Sequence, residues 1–235
     1  MAAVNTVERK APPMADSPGI EKRVLQPGQR RYTIAIPKGH SGDQPVPLVL
    51  ALHFGGPVMP FYGKLILTGL VKPALGELAV IVAPDCTARD WTQPQSEADV
   101  LALLDSIQDI YSVDPQRTLV TGYSMGGQGA WYLAGRHQER FAAALIMAGL
   151  PPSGVLDVEW KIPLYVIHSR QDEVMPLQPT KEAVKELKAK GVSVELVVLE
   201  GITHYETSRF VEPLRAARPW IEGVWQTRRS NEHTT

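Results

Sequence analysis

Short, mainly apolar runs recur along most of the chain. They lie at residues 47–54, 79–83, 118–122, 142–147, 163–168 and 192–199. Strands covered on both faces have such sequences because neither face meets water. An earlier segment, residues 31–37, alternates apolar and polar side chains, which is typical of a half-buried strand. The runs therefore predict a sheet whose strands are mostly buried on both faces.

Segments with helical spacing lie between these runs, at residues 97–111, 125–137, 180–190 and about 207–227. In the first segment, apolar residues recur at three- and four-residue intervals and form one stripe for packing on a sheet: Val100, Leu103, Leu104, Ile107 and Ile110. Pro213 and Pro219 predict an interruption in the last segment. This alternation predicts a three-layer α/β fold, with a mostly parallel central sheet flanked by helices.

The ends and connections of the chain suggest its domain organisation. Residues 1–28 contain four prolines and no sustained period, which predicts an irregular lead-in. Residues 29–235 are predicted to form a single domain, since one core of this size is ordinary. The connection at residues 148–162 is short, so we expect no large cap domain and an open site at the carboxyl edge of the sheet.

A serine lies where the predicted strand 118–122 meets the helix that begins at Met125. The sequence from Gly122 to Gly126 is GYSMG, a G-x-S-x-G pattern. A serine on such a tight, strained turn holds its hydroxyl clear of the sheet, and the glycines let strand and helix approach each other. The start of the helix adds a partial positive charge beside a developing oxyanion. The pattern predicts Ser124 as a nucleophile.

The motif and its setting resemble the α/β-hydrolase superfamily, and within it the small, lidless carboxylesterases related to dienelactone hydrolases and phospholipase/carboxylesterases. The resemblance extends from about Tyr32 to the C-terminal helix. In that superfamily the nucleophile, the acid and the base follow one another in chain order, each on a loop at the carboxyl end of a strand. The resemblance implies an α/β-hydrolase fold and a serine hydrolase.

The acid is implied by the loop after the run 163–168. Residues 168–176 read HSRQDEVMP and resemble the family's H-G-x-x-D-x-x-V-P loop. Asp172 matches the family's carboxylate, although Ser169 stands where the family has glycine. The neighbouring Glu173 is the competing candidate.

The base is implied by the loop after the run 192–199. Residues 201–204 read GITH and resemble the family's G-x-x-H loop before the last helix, so His204 is the match. The resemblance implies that His204 takes a proton from Ser124 and returns it to the leaving group. Asp172 would fix the tautomer of the imidazole and stabilise its charged form.

The oxyanion hole is implied by the same resemblance. One main-chain N–H normally comes from the residue after the nucleophile, here Met125. Residues 53–57, HFGGP, resemble the family's H-G-G-G or H-G-x turn and supply the second donor, with Gly55 as first choice and Phe54 as second. Trp91 follows the run 79–83 at the same edge and is predicted to line the substrate pocket; packing within its own loop is the alternative.

The composition restricts the class of protein. Hydrophobic residues make up 44% and charged residues 21% of the 235 residues, as in globular proteins. The 24 Lys and Arg against 25 Asp and Glu predict no nucleic-acid partner. No apolar stretch approaches the roughly 20 residues that span a bilayer. Cys86 is the single cysteine and residues 1–10 lack the apolar part of a secretory signal, so we expect a cytoplasmic protein.

The candidate chemistry predicts an enzyme. The histidines and the cysteine show no metal-ligand spacing, so the sequence predicts neither a metal nor another cofactor. The predicted function is that of a carboxylesterase that cleaves small or medium esters through an acyl-enzyme on Ser124, with a small-molecule ester as its partner. One alternative is a peptidase or amidase that uses the same three residues. Another is a non-catalytic protein that binds a ligand on the hydrolase scaffold.

Overall fold

The computed structural model describes residues 19–26, 30–40, 42–57 and 59–232. Its strands are β1 Ile20–Leu25, β2 Arg30–Ala35, β3 Val46–Leu52, β4 Val80–Pro84, β5 Val113–Tyr123, β6 Ala143–Met147, β7 Leu164–Ser169 and β8 Val194–Leu199. Within these residues the strands form one sheet in the order β1-β2-β4-β3-β5-β6-β7-β8. The β1–β2 and β2–β4 pairs are antiparallel and the other pairs are parallel, which confirms the mostly parallel sheet.

The helices are α1 Gly63–Ile66, α2 Lys72–Leu75, α3 Pro94–Ile110, α4 Met125–Arg136, α5 Leu177–Ala189, α6 Val211–Ala216 and α7 Arg218–Glu232. A π-helical stretch, Leu67–Val71, joins α1 to α2, and this helical region was not predicted from the sequence. Short 3₁₀ turns lie at Gln138–Arg140, Val155–Asp157 and Thr207–Phe210. The described connections contain no inserted domain over the carboxyl edge of the sheet, as expected.

Helices cover the sheet on both faces. Alternate side chains of β3 point to opposite sides: Leu48, Leu50 and Leu52 pack in one hydrophobic cluster, and Val49 and Ala51 pack in another. The first cluster includes apolar residues of α3, α4 and α5, and the second includes those of α1, α2, α6 and α7. A strand buried on both sides needs apolar residues at every position, which explains the continuous runs. The three-layer arrangement is confirmed.

The predicted irregular lead-in needs a correction. Ile20–Leu25 forms β1 and pairs with β2 over six residues, so the sheet begins before residue 29. Every second residue of this edge strand is exposed, with Ile20 and Val24 among them, and the strand has no apolar face that a sequence pattern could reveal. Main-chain hydrogen bonds to β2 form it instead. Residues 1–18 of the lead-in lie outside the described residues.

The interruption predicted in the C-terminal helical segment is confirmed. The chain turns at Ala217, between α6 and α7. Pro213 and Pro219 each lie in the first turn of one of these helices. There the N–H that proline lacks has no helical acceptor in any case.

Candidate active site

Ser124 occupies a strained turn between β5 and α4. Its backbone has φ 58° and ψ −119°, a conformation that residues with a side chain rarely adopt. A β-carbon on Gly122 would lie 2.1 Å from the carbonyl oxygen of Gly126, and one on Gly126 would lie 1.9 Å from that of Leu52. Both positions therefore require glycine if strand and helix are to approach this closely.

Gly126→Ala is expected to destabilise the fold by about 3 kcal/mol, because its methyl group would meet main-chain atoms of β3 that cannot move independently. Gly223→Ala is the matched control. Gly223 lies in α7, where a β-carbon would have nothing within 4 Å. Alanine there is expected to stabilise the helix by up to about 1 kcal/mol. Urea denaturation measures both effects, and equal midpoints for the two variants would contradict the prediction.

The structure brings Ser124, His204 and Asp172 into one hydrogen-bonded line. Nε2 of His204 lies 2.8 Å from Oγ of Ser124. Its Nδ1 lies 2.8 Å from Oδ2 and 2.9 Å from Oδ1 of Asp172. The three residues follow β5, β7 and β8, and the parallel strands carry them to one edge of the sheet. Each is only 6–7% exposed, so bulk water does not compete for these contacts.

The surroundings of Asp172 assign the tautomer of His204. Oδ1 of Asp172 accepts hydrogen bonds from the main-chain N–H of Val174 at 3.0 Å and of Met175 at 2.7 Å. An ionised carboxylate only accepts hydrogen bonds, so Nδ1 of His204 donates to it, and in the neutral imidazole Nε2 then carries no proton. The Ser124 hydroxyl then donates to Nε2. This is the tautomer that a general base requires.

The turn after β3 is fixed by the ring of His53. Nε2 of His53 accepts the main-chain N–H of Cys86 at 3.0 Å, so Nδ1 carries the proton and donates to the Phe54 carbonyl at 2.8 Å. In a trans peptide the carbonyl and the following N–H point to opposite sides, so the Gly55 N–H points away from the His53 ring. A β-carbon on Gly55 would lie 3.9 Å from the sulfur of Met125, which makes the two predicted oxyanion donors neighbours.

The model of the dienelactone hydrolase family matches residues 84–216, which are more than half of the chain and include Ser124, Asp172 and His204. The chain belongs to the dienelactone hydrolase family. The membership confirms the resemblance drawn from the motifs at residues 122–126, 168–176 and 201–204.

This family member is similar to several curated proteins. It is 29% identical to feruloyl esterase C of Emericella nidulans over 181 residues, which are 69% of this chain and 64% of that protein. It is 27% identical to a putative carboxymethylenebutenolidase of Aquifex aeolicus over 124 residues, 51% of this chain and 54% of that protein. The chain thus spans less than two thirds of the length of these relatives.

Solved structures share the architecture of this family member. A thermostable esterase superposes with a TM-score of 0.71 at 20% identity, over 87% of this chain and 62% of that one. A ferulic acid esterase superposes with a TM-score of 0.69 at 18% identity, over 88% of this chain and 98% of that one. These likenesses confirm the α/β-hydrolase fold.

Trp91 lies beneath the turn after β3, and its predicted place in the substrate pocket needs a correction. The side chain is 1% exposed, and its Nε1–H donates to the His53 carbonyl at 2.9 Å. Its ring lies 5.0 Å from that of His53. A buried indole needs an acceptor for its N–H, and the turn provides one. Trp91 therefore supports the turn that carries Gly55 and offers almost no surface to a substrate.

Asp85 shapes the same edge of the sheet but was not among the predicted site residues. Its carboxylate follows β4 and accepts the main-chain N–H of Phe61 at 2.6 Å and of Gly63 at 3.1 Å. Phe61 has φ 62°, a strained value for a bulky side chain. Asp85 thus fixes the segment between the turn after β3 and α1. Its position directly after a strand was the signal available in the sequence.

His168 lies beneath the acid, fully buried at the end of β7. Its Nε2–H donates to the Met175 carbonyl at 2.7 Å and lies 3.7 Å from Oδ2 of Asp172. Its Nδ1 has no hydrogen-bond partner among the described residues. Burial lowers the pKa of His168, as it does for His53. Both rings are therefore neutral in the folded protein near pH 7.

The free energy of unfolding is expected to fall as the pH drops below about 6.5, the usual pKa of an exposed histidine. As the pH falls, His53 and His168 take up protons in the unfolded chain before they do so in the folded protein. The reason is that burial lowers both pKa values in the folded state. Their contribution is present above pH 6.5 and is lost as the pH falls toward the folded values. Thermal unfolding at pH 7.5 and 5.0 measures the loss. A loss in His168→Gln as large as in the parent protein would contradict this assignment.

A groove of about 1160 Å³ lies at the opposite, amino edge of the sheet, between the end of α4 and α7. Its lining includes Ile162 and Trp220 but neither Ser124 nor His204, so the groove is not part of the candidate active site.

In the part of the chain that the structure describes, no group of three His, Cys, Asp or Glu could hold a metal ion. Among the described helices, none combines the length and the apolar composition of a membrane-spanning segment.

Proposed function

We propose that this protein is a carboxylesterase that forms an acyl-enzyme on Ser124. The 2.8 Å contact between Oγ of Ser124 and Nε2 of a histidine whose other nitrogen contacts a buried carboxylate carries the proposal. Membership of a hydrolase family and esterase-named relatives support it. We also propose that the protein works in a reducing compartment such as the cytoplasm, and its single cysteine fits this location.

The reaction follows from the contacts. Oγ of Ser124 attacks the ester carbonyl carbon while its proton moves to Nε2 of His204. Asp172 balances the imidazolium charge that forms. The carbonyl oxygen becomes an oxyanion. As the carbonyl re-forms, the ester C–O bond breaks and His204 gives its proton to the departing alkoxide. Water then attacks the acyl-enzyme with the same proton transfers through His204, and the acid and the free serine are released.

The oxyanion is proposed to accept hydrogen bonds from Met125 and Gly55. Met125 is the first residue of α4, where a main-chain N–H has no acceptor within the helix. The partial positive charge at the start of α4 adds to its effect. Gly55 lies beside Met125, and its N–H points away from the His53 ring. Two donors fixed before the reaction stabilise a developing charge without rearrangement.

The proposed substrates are small or medium esters, because no inserted domain covers the described part of the carboxyl edge. Esters of an aromatic acid are a second candidate, since several of the curated relatives are named feruloyl esterase or probable feruloyl esterase. Tyr205 favours this candidate. It follows His204, is 78% exposed, and its ring lies 5.8 Å from that imidazole at 88°. An exposed aromatic ring here offers a planar apolar surface beside the reacting atoms.

Labelling with a fluorophosphonate tests the nucleophile, and turnover of p-nitrophenyl acetate, butyrate and octanoate tests the ester. Methyl ferulate tests the aromatic acyl group, and aminoacyl anilides test the peptidase alternative. We expect labelling at one site and faster cleavage of esters than of anilides. Labelling with cleavage of anilides alone would identify a peptidase or amidase. A folded protein that is neither labelled nor active would be a ligand-binding protein.

A further inference from the structure

The loop that carries His204 is irregular. Residues 200–206 lie between β8 and the 3₁₀ turn at Thr207–Phe210 and form no strand or helix. Without ladder or helical hydrogen bonds, the main chain of such a loop needs other partners to hold one position. Side chains supply such partners, several of them from distant parts of the chain.

Among the side chains that bind main-chain groups of this loop, three hold Ile202 and His204. The hydroxyl of Tyr123 donates to the His204 carbonyl at 2.8 Å. The Glu173 carboxylate accepts the His204 N–H at 3.0 Å. The hydroxyl of Ser169 donates to the Ile202 carbonyl at 2.5 Å. Both main-chain polar groups of the histidine are therefore held by side chains.

The two side chains that bind the main chain of His204 come from residues next to Ser124 and Asp172. Tyr123 directly precedes Ser124, and Glu173 directly follows Asp172. The neighbours of both hydrogen-bond partners of the imidazole thus hold the main chain of the same histidine. We propose that Tyr123 and Glu173 are positioning residues that fix His204 relative to Ser124 and Asp172, an inference that rests on the proposed function.

Tyr123 is suited to this role because it is itself immobile. Its side chain is 1% exposed, and the ring of Phe210 meets it at 4.9 Å, edge to face. Burial, reinforced by the charges of Asp172 and Glu173, raises the pKa of Tyr123 far above its usual value. The hydroxyl therefore remains a donor, and the His204 carbonyl is the acceptor it reaches.

Proton transfer makes such positioning matter for rate. It is efficient only within hydrogen-bond reach, and a small displacement of the base lengthens the contact to Ser124. Neither Tyr123 nor Glu173 needs to touch the substrate for this effect. Their loss should reduce the rate of the chemical step and leave substrate affinity nearly unchanged.

Tyr123→Phe removes the hydroxyl and keeps the ring, and Glu173→Ala removes the acceptor. Each is expected to lower kcat about five- to tenfold, with KM within twofold of the parent value. Glu173→Gln keeps an acceptor oxygen and is expected to restore kcat to within twofold. The rate of fluorophosphonate labelling should fall in parallel with kcat, since it needs the same base.

Tyr132→Phe is the matched control, because the Tyr132 hydroxyl donates to Glu97 at 2.8 Å and takes no part in the site. It should alter the melting temperature and leave kcat unchanged. The positioning role would be overturned if kcat were unchanged in both Tyr123→Phe and Glu173→Ala, or if only KM rose. In that case an active parent protein would still uphold the proposed function. A parent protein without labelling or turnover would instead overturn the proposed function itself.

Discussion

Ser124→Ala is expected to lower kcat for ester hydrolysis by roughly 10⁴- to 10⁶-fold and to abolish fluorophosphonate labelling. The hydroxyl of Tyr123, at the end of β5, binds the His204 carbonyl and so does not replace Oγ in its 2.8 Å contact with Nε2 of His204. The loss should appear in kcat, because the acyl-enzyme cannot form, and substrate affinity should change little. Stopped assays with p-nitrophenyl butyrate measure kcat. An intact-mass measurement after treatment with the fluorophosphonate checks the loss of labelling.

Ser193→Ala provides the control for this substitution. Ser193 is exposed and lines the groove at the amino edge of the sheet, away from the proposed nucleophile. This variant should be labelled and should turn over esters at the parent rate. Continued labelling of Ser124→Ala would show that another residue is the nucleophile and would contradict the acyl-enzyme proposal.

The sequence predicted the elements that a local pattern encodes. Continuous apolar runs located the inner strands, because a parallel strand under two helical layers has no face for polar residues. The nucleophile turn was also predictable, since close approach of β5 and α4 requires glycine at 122 and 126. Asp172 and His204 could be placed by their order along the chain, because parallel strands bring successive loops to one edge.

Other features depend on contacts between distant residues, and no local pattern encodes them. Trp91 has the composition of a pocket-lining aromatic, but its N–H finds an acceptor at residue 53 and its ring packs beneath that turn. β1 has no apolar face and exists because β2 offers a free edge. Glu173 competed with Asp172 as the acid in sequence, and only the fold shows that one carboxylate meets the imidazole and the other the main chain.

Two neutral, buried histidines support the proposed site. His53 fixes the turn that carries Gly55, and His168 lies under Asp172. Each ring makes hydrogen bonds to main-chain atoms, so each fixes the position of a loop and not only of a side chain. A displaced ring would lose these hydrogen bonds and leave a buried main-chain group without its partner, which favours the observed geometry.

Asp172→Asn is expected to lower kcat by about 10⁴-fold while the fold is retained. The amide oxygen can replace Oδ1 and accept the N–H groups of Val174 and Met175, which places the amide NH₂ where Oδ2 faces His204. Oδ1 lies 2.9 Å from Nδ1 but already accepts two N–H groups, so the NH₂ would meet the proton on Nδ1 and favour the tautomer with the proton on Nε2. Nε2 then points a hydrogen at Ser124 and cannot accept its proton. Steady-state kinetics and a thermal melt measure the two effects.

The predicted tautomer change can be distinguished from simple loss of a charge. Asp109→Asn removes a carboxylate from an exposed position on α3 and should leave kcat within twofold of the parent value. Asp172→Ala removes both the charge and the opposing donor, so the imidazole can still take the productive tautomer, although nothing holds it there. We therefore expect Asp172→Ala to retain at least as much activity as Asp172→Asn, even though alanine removes more contacts. A much lower activity for the alanine variant would show that orientation of the ring, and not its tautomer, is the main contribution of Asp172.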